Sequence, residues 1–270
     1  MSTATAAAAP ASAIYTIQPV ETGRVTQATP HELREEFDRA GVVILPDFLR
    51  PDALPPLRAA LAEHYRPIAD KAAEMAHGRT GERARFECDV IAWDPVTEKN
   101  AAFVALHGHA ALAAVTEVLL GPAFTAPSSL VMFSIAGGRG QAWHQDCPPE
   151  HVAAFNLNRL FYPDDVNADD GPVVVVPGSH RRGRIPPGGH QQPIDGEVAL
   201  TPRAGTLVLL HGHVYHRVMA NRTRRPRTSI NFRAYAAGVP KDVNCIGIYR
   251  NGEIDFCEKS RRHAPSMAPR

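Results

Sequence analysis

The spacing of hydrophobic positions changes character about halfway along this chain. From Thr29 to Arg66 it reads helix, strand, helix. HELREEFDRAG is a helical stretch that begins at Thr29 or Pro30 and ends at Gly41. VVIL, residues 42–45, is a short buried strand. Pro51 opens a second helix, DALPPLRAALAEHYR, with Leu54, Leu57, Leu61 and Tyr65 on one face. ARFECDVIAWD (84–94) reads as extended, and ALAAVTEVLLG (111–121) as a helix closed by Gly121.

Beyond Ser128 the pattern turns to short β-rich runs between Gly and Pro turns. These are LVMFSI (130–135), AFNLNRLFY (154–162), PVVVVPG (172–178), GTLVLLH (205–211) and TSINFRAYA (228–236). Many short strands at this spacing predict a sandwich or a barrel-like double sheet. Helices come first and strands follow, so the expected class is mainly β with helices (α+β), a helical layer on a β core. No repeat or linker divides residues 29–258. The expected organisation is a disordered tail over 1–22, a single domain over 23–258 and a basic tail over 259–270.

With 270 residues, 44% hydrophobic and 21% charged, the chain can bury a sizeable core. Its net charge of +1 gives no general pull toward nucleic acid or membrane. Cys88, Cys147, Cys245 and Cys257 are scattered, the pattern of free thiols in a reducing compartment. The opening MSTATAAAAPASA lacks a basic n-region, and Pro10 breaks its alanine run, so it reads as a tail rather than a signal peptide. No apolar run approaches the roughly 18 residues of a membrane span. A cytoplasmic protein is the expectation.

The candidate chemistry begins at His144-x-Asp146. Two histidines and a carboxylate can bind one face of an octahedral Fe(II) and leave the other positions open. Alone, the pair is a common chance spacing in loops. On a strand, however, residues i and i+2 point the same way. His211, His213 and His216 offer a third ligand, and geometry alone does not choose among them. The segment RVMANRTRRPR carries the strand through a turn (Asn221 to Arg225) and back along its neighbour. That return places Arg227 beside His216. Arg227 and Ser229 then share a face, as do Asn231 and Arg233. Such a face is either a wet outer surface or the polar wall of a pocket. On AFNLNRLFY, period two separates Asn156, Asn158 and Leu160 from Phe155, Leu157, Arg159 and Phe161. The second set suits packing beneath helices, which turns the first toward a cavity. Asn158, Asn231 and Arg233 together suggest a small polar substrate, carboxylate-bearing ones included. The bland alternative is that they satisfy backbone groups or sit at a rim.

Four motifs in order now give a resemblance. WHQD stands at 143–146, VVVVPGSHRRG at 173–183 and AGTLVLLHGHVYH at 204–216, with Asn221 and Arg227 following at characteristic offsets. With the early REEFDRAGVVILPDFLRPDALPPLR, the chain resembles the phytanoyl-CoA dioxygenase-like branch of the Fe(II)/2-oxoglutarate-dependent oxygenases from about residue 29 to 236. The resemblance implies a double-stranded β-helix, a jelly-roll core with helices packed on one sheet. It implies Fe(II) held by His144, Asp146 and His216, and 2-oxoglutarate whose distal carboxylate pairs with Arg227, with a further hydrogen bond from Ser229. Gln141 and Trp143 flank the first ligand and are candidates to line the pocket; Trp143 is equally readable as core. Two positions depart from the family pattern. Thr206 follows Gly205 where an aspartate is frequent, and Leu160 stands where a large aromatic often lies near the co-substrate. His180 reads as a turn residue. Cys147 points to the opposite face from Asp146, and Arg181, Arg182 and Arg184 read as a solvated loop.

The implied activity is hydroxylation of a small-molecule C–H bond with O2, releasing succinate and CO2. Asp146 disfavours halogenation, since family halogenases have a small residue there. Desaturation, epimerisation or cyclisation is the alternative outcome, and a non-catalytic jelly-roll binding protein is the alternative from another class.

Overall fold

The computed structural model describes residues 13–65, 90–93, 99–126, 129–150, 152, 154–185, 191–239, 248–250 and 253–255. Strands β1 (Tyr15–Ile17) and β2 (Thr26–Ala28) form an antiparallel ribbon. Residues 15–17, assigned to the N-terminal tail from sequence, therefore belong to the fold. Ile17 and Ala28 are buried in the helical side of the core, which holds the ribbon down.

Helix α1 (Pro30–Ala40) starts where its capping chemistry dictates. The Thr29 hydroxyl accepts from the Glu32 amide at 3.3 Å, and the Glu32 carboxylate accepts from the Thr29 amide at 2.7 Å. This reciprocal box satisfies two N–H groups that a helix start leaves unpaired. Leu33, Phe37 and Ala40 form the buried face. The helix ends at Gly41, whose φ of 72° turns the chain into strand β3 (Val42–Leu45). The second helix begins later than the sequence suggests: Pro51–Ala53 make a 3-10 turn and helix α2 covers 55–65. Leu54, Leu57 and Leu61 are buried, as the periodicity requires. The extended stretch is present as β4 (Val90–Trp93); the remainder of 84–94 lies outside the described residues. A short helix α3 (Ala101–His107), capped by Asn100, was not anticipated, and α4 (Ala110–Leu120) ends at Gly121 as expected. Among the described residues no single helix is long and apolar enough to cross a membrane.

Nine further strands follow: β5 (Leu130–Ser134), β6 (Gln141–His144), β7 (Asn156–Tyr162), β8 (Val173–Val175), β9 (Val198–Leu200), β10 (Thr206–His211), β11 (His216–Val218), β12 (Arg227–Asn231) and β13 (Ala234–Tyr235). A distal pair, β14 (Ile248–Arg250) and β15 (Glu253–Asp255), forms its own hairpin. The major sheet runs β3-β10-β7-β12-β5-β4, with β13 also on β7; the minor sheet runs β6-β11-β8-β9. Every pairing is antiparallel. This is the expected jelly-roll.

Strand alternation sorts the side chains into three layers. Val43, Phe133, Leu157, Phe161, Leu209 and Ile230 leave one face of the major sheet and pack with Leu33, Phe37 and Val115 of the helices. Val42, Leu160, Tyr162, Val208 and Leu210 leave its other face and meet Val173, Val175 and Val218 of the minor sheet. Outside the minor sheet Trp143, Val174, Val176 and Tyr215 make a third cluster. Arg159 behaves as its place in the alternation predicts. It reaches the helical side, donating to the Phe232 carbonyl at 2.6 Å and the Thr116 hydroxyl at 2.9 Å. Burial pulls its pKa down to about 9.

Between the two sheets, the inner face of β7 changes from apolar to polar, and that of β12 is polar along its length. Asn156 and Asn158 stand on one, Ser229 and Asn231 on the other, all buried. That polar end is where the candidate chemistry gathers.

A Cβ at Gly41 would lie 2.5 Å from both the His180 ring and a Val214 methyl. Left-handed backbone costs a non-glycine residue roughly 1–2 kcal/mol, and the crowding adds to it. Gly41→Ala is expected to lower unfolding stability by about 2 kcal/mol or more, read from the urea midpoint; an unchanged midpoint would show that the helix end relaxes freely.

Candidate metal centre

Three side chains converge from the minor sheet. His144 ends β6 and His216 opens β11, and the two are register partners, with ring centroids 4.2 Å apart. Asp146 stands two residues beyond His144, where the chain has left the strand; its amide donates to the Gly212 carbonyl at 2.8 Å. Gly212 is needed for this approach, because a Cβ there would lie 2.2 Å from the Asn156 side-chain oxygen and 2.8 Å from the Cys147 sulfur. Nε2 of His144 is 3.6 Å from Asp146 Oδ1, and Nε2 of His216 is 4.0 Å from Oδ2. One ligand atom from each of the three lies within 4.8 Å of the others, and all three residues are buried.

The imidazoles are oriented from behind. Nδ1 of His144 contacts the Ala142 carbonyl at 2.7 Å, and Nδ1 of His216 the Val214 carbonyl at 2.8 Å. A carbonyl only accepts, so each Nδ1 carries a proton, and each Nε2 would give its lone pair to a bound metal. Two neutral nitrogens and one carboxylate on one side of a common point fit a divalent iron and leave its other positions open.

Asp146 is kept ionised out of water. Burial alone pushes its carboxyl pKa up, but the Arg233 guanidinium, the two imidazoles and Asn158 together outweigh that and hold it at about 2. Arg233 Nη2 lies 3.3 Å from Oδ1, and Asn158 donates to Oδ2 at 2.5 Å. Asn158 in turn accepts from Asn156 and Asn231, each at 2.9 Å. The inward reading of Asn158, Asn231 and Arg233 is thus matched by a network ending on the carboxylate.

Arg227 occupies the same inner face of β12, but not as the sequence reading had it. The strand after His216 does not return beside its predecessor. β11 lies between β6 and β8, whereas β12 lies between β5 and β7, so the turn at 221–225 crosses from one sheet to the other. Jelly-roll connections alternate sheets, and Arg227 comes from the sheet opposite His216. Asn221 holds this crossing, donating to the Ser134 and Arg225 carbonyls at 3.1 and 2.9 Å. The Arg227 guanidinium donates through Nε and Nη2 to the Gly171 carbonyl (3.1 and 2.9 Å) and through Nη1 to the Ser229 hydroxyl (2.9 Å). Burial lowers its pKa below the ordinary arginine value. Among the described residues no carboxylate pairs with it; nearby Asp170 is taken by Arg225 at 2.9 Å.

Trp143 is a correction. It does not line the site: it is buried on the far side of the minor sheet, stacked on Tyr215 at 5.1 Å beneath Arg217. Adjacent strand residues point to opposite faces, so His144 turned inward sends Trp143 out. Gln141 is buried opposite Val218 beyond a bulge in the β6–β11 ladder, and it has no hydrogen bond to the site among the described residues. His211 stacks on Phe155 at 3.7 Å, and burial lowers its pKa well below the usual value; it is a neutral core group. His180 packs under the α1 end, its Nε2 3.2 Å from the Asp38 carbonyl. Cys147 is buried, and burial raises its thiol to about 12. Tyr162 escaped the sequence reading. It shares the inner face with Leu160, and among the described residues its buried hydroxyl has no hydrogen-bond partner. Period two from Asn158 would have found it, one step past the Leu160 position.

The family model described as phytanoyl-CoA dioxygenase (PhyH) matches residues 37–229. The chain belongs to the phytanoyl-CoA dioxygenase family. The family is one of Fe(II)/2-oxoglutarate-dependent oxygenases, which places the chain among the oxidoreductases. Solved structures share the fold. EctD from S. alaskensis, with 2-oxoglutarate and 5-hydroxyectoine, is 24% identical over 84% of each chain with a TM-score of 0.58. The epimerase SnoN in complex with Fe3+, alpha ketoglutarate and nogalamycin RO is 22% identical over 83% of this chain and 87% of its own, TM-score 0.57. The carbocyclase SnoK from nogalamycin biosynthesis is 21% identical over 80% and 84%, TM-score 0.55.

Two outcomes are expected from this geometry. His216→Ala should lose Mn(II) binding in an EPR titration while His211→Ala keeps it; the reverse order would move the third ligand to His211. Asn158→Leu removes the donor to Asp146 and should weaken Mn(II) binding by about 10–100-fold, the usual cost of losing a ligand's supporting partner. Unaltered affinity would show that Arg233 alone suffices to hold the carboxylate.

Proposed function

We propose that this chain is a non-haem Fe(II)/2-oxoglutarate-dependent dioxygenase that hydroxylates a C–H bond of a small polar metabolite or natural-product intermediate, releasing succinate and CO2. The observation that carries the reading is Arg227, a buried guanidinium with no carboxylate partner among the described residues, on the sheet opposite a His–Asp–His cluster. A buried cation without a counter-charge is unfavourable until an anion arrives.

His144 Nε2, His216 Nε2 and an Asp146 oxygen would hold the iron. Arg227 would hold the distal carboxylate of 2-oxoglutarate. A guanidinium has five N–H donors, and three are already engaged by Gly171 and Ser229. One donor remains on Nη1 and one on Nη2, the two-pronged arrangement that matches a carboxylate. The Gly171 carbonyl fixes the plane of that fork. The Tyr162 and Ser134 hydroxyls, buried and without a hydrogen-bond partner among the described residues, would complete the carboxylate's hydrogen bonds. When bound, iron and 2-oxoglutarate supply the oxidising chemistry: O2 is reduced, 2-oxoglutarate loses CO2 and a substrate C–H bond is broken. The protein holds Asp146 ionised, fixes both imidazole tautomers and keeps water from the buried face. The epimerase and carbocyclase among its structural neighbours carry the second reading, in which the same residues lead to another outcome after C–H cleavage. Product analysis separates the two.

The test is succinate formation from 2-oxoglutarate in air with Fe(II), paired with 2-oxoglutarate affinity on the Mn(II) protein. Arg227→Ala should weaken that affinity by about thirtyfold or more, since removing one partner of a close charge pair costs roughly 2–5 kcal/mol. Arg227→Lys keeps the charge, loses the fork and should fall between. Equal affinities in all three proteins would remove Arg227 from the co-substrate site.

A further inference from the structure

Beside Arg227, the polar end of the interior holds another buried guanidinium, Arg233, that the co-substrate does not use. Arg233 continues the inward face that carries Arg227, Ser229 and Asn231. Its Nη2 lies 3.3 Å from Asp146 Oδ1, but among the described residues its buried Nε and Nη1 have no hydrogen-bond partner. Asn231, two residues earlier on the same face, also buries its side-chain oxygen without a partner. Buried polar groups are costly when unsatisfied, and in native proteins they are rarely left so. Asp146 and the Tyr235 phenol both engage this guanidinium, and neither gives Nε or Nη1 a partner.

A count of charge points the same way. Among the described residues, the buried charged side chains at this polar end are Asp146, Arg227, Arg233 and Asp170, the last already balanced by Arg225. Imidazoles that bind metal are neutral. One positive charge is therefore in excess. Fe(II) adds two positive charges and 2-oxoglutarate two negative, so the excess persists in the loaded protein. What is missing is one negative charge beside Arg233.

We infer that Arg233 anchors the carboxylate of a small monocarboxylate substrate, and that Asn231 accepts a hydrogen bond from a donor on the same molecule. This deepens the oxygenase reading above and rests on it. Arg233 is then a binding residue that sets specificity, lodged beside the metal ligand it also supports.

The experiment loads the wild-type protein with Mn(II) and saturating 2-oxoglutarate without oxygen. Calorimetry then follows three matched probes: benzoate, N-acetylglycinate and 3-hydroxybutyrate, each against its primary amide. At least one acid should bind about tenfold or more tighter than its amide. That acid should lose about thirtyfold or more in Arg233→Gln and recover in part in Arg233→Lys. Because Arg233→Gln also removes support from Asp146, Mn(II) is kept saturating for each variant, and the loss for the acid should exceed the losses for its amide and for 2-oxoglutarate by about tenfold or more. Acids that bind no better than their amides, absence of binding included, would overturn the proposal. So would parallel loss of acid, metal and 2-oxoglutarate binding in Arg233→Gln, which would make Arg233 a positioning residue for Asp146 alone. Should the glutamine variant fail to fold, the acid–amide comparison on wild type still decides. Failure of the underlying reading is visible separately, as absence of 2-oxoglutarate binding before any probe is added.

Discussion

Asp146 is a carboxylate held charged where water does not reach, and the polar end of the interior is organised around it. Burial works against the charge; Arg233, Asn158 and the two facing imidazoles overcome it. Each supporter is itself held. The imidazoles lean on the Ala142 and Val214 carbonyls, and Asn158 is braced by Asn156 and Asn231. Breaking one partner of such a buried set exposes the cost of the rest. Three side chains that would repel or wander in water are thereby left with lone pairs aimed at one point.

The jelly-roll makes this arrangement possible by dividing labour between its sheets. The minor sheet supplies both histidines as register partners, so their approach follows from strand pairing. The major sheet supplies the cations and amides from β7 and β12. The chain crosses between sheets after His216, pinned by Asn221 and by the Arg225–Asp170 pair. Metal ligands and anion-binding groups consequently come from opposite walls. Apolar packing fills the other end of the sandwich, and the helices cover the back of the major sheet.

Much of this was legible in the sequence because period two survives burial. The shared faces of Arg227 with Ser229 and of Asn231 with Arg233, and the opposite faces of Asn158 and Arg159, followed from alternation along single strands; which way the β12 face turned did not. The α1 limits were legible because Thr29, Glu32 and Gly41 carry the capping chemistry locally. What failed was information held between strands. Arg227 was expected beside His216, but a turn does not say which sheet its second strand joins. Trp143 was a candidate pocket residue because its neighbour is a ligand, whereas alternation sends neighbours apart. Tyr162 carries no motif of its own, and only the fold shows its hydroxyl buried on the inner face it shares with Leu160. Helix α3 carries too short a pattern to stand out, and β1 gains its place from burial of Ile17 rather than from local propensity.

The central claim is that iron and 2-oxoglutarate share one pocket built by His144, Asp146, His216 and Arg227. The most direct measurement is the visible absorption spectrum of the oxygen-free protein as Fe(II) and 2-oxoglutarate are added singly and together. Chelation of the 2-oxo acid to protein-bound iron gives a charge-transfer band that neither component shows alone. The account predicts that band with both present, saturating at one equivalent of iron, and its absence with either omitted. A protein that binds iron and 2-oxoglutarate independently, with no band when both are bound, would contradict it.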